Sequence, residues 1–252
     1  MVPTKHETGF LVLHLGGSGA IGAPPLRELW EADGSQFPMW QVLIDTDKAN
    51  DHYKEEGIVD ASIPVRLDYD EIETVKATPG SFGPTVPRIV EQVAAMLDPE
   101  EMENGARTVR ACAQLPWEVL RPRIADKLNQ CIRSFLRDSG CKRIIPIGAC
   151  SSGGGTGSSF GILLAAALQD SSFRSRVLQG FPNGLLRTLM LFVVEPFEAT
   201  TPASGASALS SASTDGSRFI SARCVKSCTE HMACLMREVR QQGSISTSMR
   251  KW

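Results

Sequence analysis

The 252-residue chain lacks an excess of either charge, with 26 Lys and Arg against 28 Asp and Glu and a formal net charge of −2. Its cations are scattered, and no basic run is interleaved with aromatics, so neither nucleic acid nor a membrane surface is expected as a partner. Long hydrophobic runs are missing too. The N-terminal stretch MVPTKHETGFLVLHLGG has an apolar part too short for a signal peptide and runs straight into glycines. It reads as a buried strand of a soluble, cytoplasmic protein. Paired cysteine spacing is also absent: the seven cysteines, at 112, 131, 141, 150, 224, 228 and 234, include no C-x2-C. Cys224, Cys228, His231 and Cys234 lie close together on a helical pattern, but free thiols in a reducing compartment are the simpler account. No metal ligand is assigned.

The informative feature is the stretch GACSSGGGTGSSFG, from Gly148 to Gly161. Glycine at this density costs conformational entropy, so the backbone needs it for positive φ or for close approach to something. Small residues with free N–H groups ahead of a helix are a common way to wrap a phosphate. Gly/Ser composition alone would equally describe a linker. The flanks favour a ligand loop, because a β-rich run, IIPIG, precedes the stretch and a helical pattern, FGILLAAALQD, follows it.

Along the chain, FLVLHL (10–15) is an apolar strand, GGSGAIGAPP a turn, and LRELWEA a helix whose entry tolerates Pro24 and Pro25. Trp40 to Asp45 is a second strand, and SIPVRLD a short strand or extended loop. PGSFGPTVP (79–87) is a rigid loop and RIVEQVAAML a helix. The strongest helical period runs from Leu120 to Asp138. GCKRIIPI is a strand, and another buried strand lies within Leu185 to Phe197. The alternation predicts an α/β fold: a mostly parallel Rossmann-like sheet covered by helices on both faces. In such sheets ligands sit beyond the carboxyl ends of the strands, where both glycine segments fall. Residues 201–217 form a low-complexity loop with little to bury, and 218–252 a C-terminal helix and frayed tail.

The first glycine segment admits two readings. Gly17 to Gly22 spells GSGAIG after a strand, with Asp45 and Asp47 at the end of the next, as in a dinucleotide-binding domain. An NAD(P)-binding oxidoreductase domain is therefore one alternative. The proline pair that follows counts against it, since that helix should start tightly on the third glycine. A P-loop is excluded because neither segment carries its lysine.

The ordered set GGSG (16–19), LIDTD (43–47), GGGTGSS (153–159) and VVEPF (193–197) resembles the nucleotide domain of the tubulin and bacterial cell-division GTPase superfamily. The segment GARTVRACAQLPWE (105–118) is closest in character to the divergent bacterial tubulin-like proteins. The resemblance implies a nucleotide-binding domain over residues 1–200, for GTP or GDP with Mg2+, possible self-association or pairing with a homologous subunit, and a place in a polymerising cytoskeletal GTPase. Carried over by position, Gly16, Gly17, Ser18 and Gly19 would line one side of the phosphates. Gly153, Gly154, Gly155, Thr156, Gly157 and Ser158 would hold the other, with the helix N-terminus offsetting the charge. Thr156 is either a ligand hydroxyl or a helix N-cap. Ser81 to Thr85, including Gly83, corresponds to the loop that reaches toward the γ-phosphate. Asp47 either helps organise the magnesium or caps a turn.

Two departures from that pattern stand out. Asp45 replaces an asparagine, placing a carboxylate near a polyanion, and Ser159 replaces a glycine, which implies strain wherever the backbone needs positive φ. The family's acidic catalytic loop has no counterpart in the sequence, so no catalytic residue is assigned and the chain reads as truncated relative to the family. It is expected to bind nucleotide without sustained turnover or polymerisation by itself, and a non-binding structural fragment is the third reading.

Overall fold

The computed structural model describes residues 7–34, 37–97, 106, 109–152, 155–182, 184–187, 189–194 and 236. Its centre is β1, Thr8–Leu15, in which every residue after Thr8 is buried. Such a run suits a strand covered on both faces. β2 (Met39–Asp45), β3 (Ala61–Pro64), β4 (Arg143–Ser151) and β5 (Met190–Val194) complete a five-stranded sheet. The order is β3-β2-β1-β4-β5, and every pairing is parallel. The expected α/β sheet is therefore present.

Helices supply the crossovers: α1 (Gly16–Ala20), α2 (Ala23–Ala32), α3 (His52–Glu55), α4 (Tyr69–Ala77), α5 (Val86–Val93), α6 (Arg110–Ser139), α7 (Gly155–Gln169) and α8 (Ser171–Val177). The side-chain period of two splits β1 between two cores. Leu11, Leu13 and Leu15 join Leu120, Ile124 and Leu128 of α6 and Phe160 and Leu164 of α7. On the opposite face Phe10 and Val12 join Ile145, Ile147, Leu26 of α2 and Met236. Met236 is itself helical and fully buried. Each such apolar side chain contributes roughly 1.5–3 kcal/mol by leaving water. Trp117 fixes the junction of three helices, its ring 5.1 Å from Phe160 and 6.4 Å from Phe173.

Several boundaries differ from those read in the sequence. The long helix begins at Arg110 rather than Leu120, with Pro116 and Pro122 inside it. Each proline removes one helical N–H bond. Burial of Leu115, Trp117 and Leu120 around the helix outweighs that loss. The second glycine segment is also helical from Gly155 onward, so GTGSS is the first turn of α7 and not a loop. The first segment, expected as a turn, coils into α1 before α2 starts with Pro24 and Pro25 in its opening turn. α4 and α8 are additions. α4 carries a capping box, Asp68 with Glu71, and α8 is capped by Asp170. The segments 201–217 and, apart from Met236, 218–252 lie outside the described residues.

Candidate functional site

From β1 the chain moves through β2 to β3 on one side, and from β4 to β5 on the other. The topological switch point thus lies between β1 and β4, where open parallel sheets receive ligands. Both glycine segments leave from these two strands: Gly16 follows Leu15, and Ser152 follows Ser151.

The segments meet backbone to backbone. Gly16 adopts φ +74°, and a Cβ there would stand 2.8 Å from the Gly157 nitrogen and 3.0 Å from Thr156 Cβ. Conversely, a Cβ on Gly157 would stand 2.9 Å from the Leu15 carbonyl oxygen. A Cβ on Gly19 would collide with the Ala149 carbonyl at the end of β4. Much of the glycine density is thus required by close backbone contact within the chain. Gly17 and Ser18 are half-buried, whereas Gly155, Thr156, Gly157 and Ser158 are buried. Gly153 and Gly154 lie outside the described residues.

β2 supplies the third wall. Asp45 is buried; its Oδ1 accepts the N–H groups of Thr46 (2.7 Å) and Asp47 (3.2 Å), and its Oδ2 accepts Asn50 Nδ2 at 2.6 Å. Burial lifts its carboxyl to about 6, against the pull of those donors. Asn50 in turn sits beneath the first segment, since a Cβ on Gly17 would stand 2.9 Å from its Nδ2. Asp45 is therefore a buried brace under the loop. Asp47 is the turn cap: its Oδ1 accepts the Ala49 N–H at 2.9 Å and closes the 3-10 turn Lys48–Asp51.

Thr156 is not an N-cap, because the helix has already begun at Gly155. Its hydroxyl lies 2.7 Å from that of Thr46, which also accepts the Ala106 N–H at 3.0 Å. Ser159 shows no strain; it sits inside α7, and its hydroxyl donates to the Arg110 carbonyl at 3.3 Å. His14, expected to be structural, ties the first segment to β2, with Nδ1 2.9 Å from the Gly19 carbonyl and Nε2 2.7 Å from Gln41 Oε1. Burial holds its pKa below the usual histidine value.

Helix starts divide into two kinds, and those at the switch point share with α2 and α5 the absence of acidic residues in the first turn. The first turns of α1, α6 and α7 contain no acidic residue, and neither α1 nor α6 has a side-chain cap. α4 and α8, away from the crevice, are both capped by aspartate. The starts of α1 and α6 thus leave backbone N–H groups without a side-chain acceptor, and no carboxylate in the first turn of α1, α6 or α7 offsets the positive end of the helix dipole. Arg110, at the start of α6, adds a guanidinium: Nε donates to Ser158 Oγ at 3.1 Å and Nη2 reaches the Ser152 carbonyl at 3.5 Å.

Thr46, Asn50 and Arg110 were not singled out from the sequence. Thr46 and Arg110 lie within LIDTD and GARTVRACAQLPWE, yet only the fold shows which side chains of those segments turn to the crevice. The Ser81–Thr85 loop, with Gly83 at φ +126°, makes no hydrogen bond to either glycine segment among the described residues. A cavity of about 450 Å3 lies between α4 and α6; its lining sets three carboxylates, Asp68, Asp70 and Glu71, against one guanidinium, Arg123, which is paired with Glu71, a balance that disfavours phosphate there. The described cysteines, 112, 131, 141 and 150, are free and buried, while Cys224, Cys228, His231 and Cys234 lie outside the described residues. Among the described residues no helix is long and apolar enough to cross a membrane. No family model matches the chain, and no curated protein matches it significantly.

Proposed function

We propose that the chain binds the phosphates of a nucleotide at the switch point between β1 and β4. The observation that carries this is the backbone contact of two glycine segments at that point, beside helix starts that lack acidic residues and beside one guanidinium. N–H groups of Gly17, Ser18 and the first turn of α7 would face the phosphates. The resemblance supports GTP or GDP with Mg2+ as the ligand, and Gly83 as the approach to the outer phosphate. Asp47 fits the magnesium: its Oδ1 is used by Ala49, and no hydrogen bond among the described residues takes its Oδ2. A magnesium there would neutralise phosphate charge, with Asp47 receiving its bound waters. Self-association in the manner of a tubulin-like GTPase is part of the same proposal, and no catalytic residue is assigned.

The dinucleotide alternative loses support at Asp45, whose carboxyl is buried and directed inward onto Thr46, Asp47 and Asn50 rather than presented to a ribose. Equilibrium titration with GTP, GDP, NAD and NADP in magnesium buffer tests the proposal. A preference for the guanosine nucleotides is expected. A preference for a dinucleotide would overturn it, and binding of none would favour a non-binding structural domain.

A further inference from the structure

We propose that Arg110 is the side-chain cation that grips the phosphate chain of the ligand, an assignment that rests on the crevice being a phosphate site. The glycine segments hold no lysine, so side-chain cation for a polyphosphate must come from another part of the chain. Arg110 is delivered there by α6, whose start is tied to the first turn of α7 in two ways. The Ser159 hydroxyl donates to the Arg110 carbonyl, and Arg110 Nε donates to Ser158 Oγ. Its Nη2 extends back to the carbonyl of Ser152, so the guanidinium spans the glycine run from one end to the other.

The side chain is exposed and poised rather than spent. At 3.5 Å the Ser152 contact is at the limit of a hydrogen bond, and among the described residues two of the five N–H donors are engaged. No carboxylate among the described residues pairs with it; Arg27, Arg66, Arg121, Arg123, Arg137 and Arg176 hold Asp or Glu partners, and of the arginines without one Arg110 is tied to the glycine segment by its side chain. A phosphate over the start of α7 offers charged acceptors to the free face of the guanidinium and displaces the weak carbonyl contact. The Ser158 bond meanwhile keeps the fork oriented. The ligand class this favours is a di- or triphosphate, whose charge extends beyond what backbone N–H groups alone neutralise.

The test is calorimetric titration of wild type, Arg110→Gln, Arg110→Lys and Ser158→Ala with Mg·GTP, Mg·GDP and tripolyphosphate. Loss of one charge-assisted interaction should weaken binding of each probe on the order of ten- to a hundredfold in Arg110→Gln. Arg110→Lys and Ser158→Ala should fall between that variant and wild type. Phenylglyoxal modification of Arg110 in the wild-type chain, read by mass spectrometry, supplies a measurement independent of any variant's folding. GTP or tripolyphosphate should protect the residue. Unchanged affinity in Arg110→Gln, or no protection, while wild type binds GTP, overturns the role of Arg110 and leaves the nucleotide reading intact. Arg110-dependent binding of tripolyphosphate without nucleotide binding upholds Arg110 and overturns the nucleotide reading. No binding of any probe by wild type overturns both.

Discussion

The hydroxyls of Thr46 and Thr156 lie 2.7 Å apart, joining the end of β2 to the first turn of α7 across 110 positions of sequence. The bond is buried, and Thr46 carries a second load by accepting the Ala106 N–H. Three separate segments therefore share one small hydroxyl.

Removing Thr46 should cost more than removing Thr156. Thr46→Val leaves both the Ala106 N–H and the Thr156 hydroxyl without their partner, for about 2 kcal/mol, while Thr156→Val strands a single hydroxyl, for about 1 kcal/mol. In the double variant the costs should sum to less than the two singles, because the shared bond is lost once. Urea denaturation of the four proteins measures this. Simple additivity would show that the pair is not coupled.

Asp45 should make the protein lose stability with rising pH over a defined window. Its folded carboxyl titrates at about 6 against 3.8 for the free group, because burial disfavours the charge. The folded chain thus holds this proton more tightly than the unfolded chain. The contribution is complete below about pH 4, is lost as pH rises to about 6, and is flat above. Asp45→Asn keeps an oxygen for the Thr46 and Asp47 N–H groups and removes the titration. Relative to wild type it should gain on the order of 2–3 kcal/mol between pH 4 and pH 7. Parallel stability curves for the two proteins across that range would contradict the assignment.

Two glycines with positive φ should respond differently to alanine. Gly83, at φ +126°, has nothing within 4 Å of a Cβ, so Gly83→Ala carries only the backbone cost of roughly 1–3 kcal/mol. Gly16, at φ +74°, adds a collision with the Gly157 backbone. Gly16→Ala should be the more destabilising and should push the two segments apart, weakening GTP binding beyond what its thermal stability implies. Melting temperatures and nucleotide titrations on both variants separate the effects. Equal destabilisation would mean that the segments part without cost.

Local signals in the sequence carried the architecture. Apolar runs such as FLVLHL and RIIPI, spaced by helical patterns, determine a buried parallel sheet because only strands covered on both faces are apolar throughout. They also set both glycine segments at strand ends. The capping box at Asp68 and Glu71 is legible as well, as an Asp followed three residues later by Glu. The start of α6 was not legible, since Pro116 is a local stop signal and its override comes from Trp117 packing on Phe160 and Phe173.

Composition could not say what the glycines are for. GGSG and GGGTGSS look alike as flexible, phosphate-ready backbone, and only the fold brings Gly16 against Gly157 and Gly19 against Ala149. The same holds for Asp45, which from its position at the end of a strand was equally a ribose ligand or a misplaced charge near phosphate. Its burial and its bonds to Thr46, Asp47 and Asn50 make it a brace. Secondary structure follows from neighbours a few residues apart, which the sequence displays directly. The pairing of Thr46 with Thr156, and of Arg110 with Ser158, depends on strand order and on how α6 and α7 pack, and those are decided only when distant segments bury their apolar faces together.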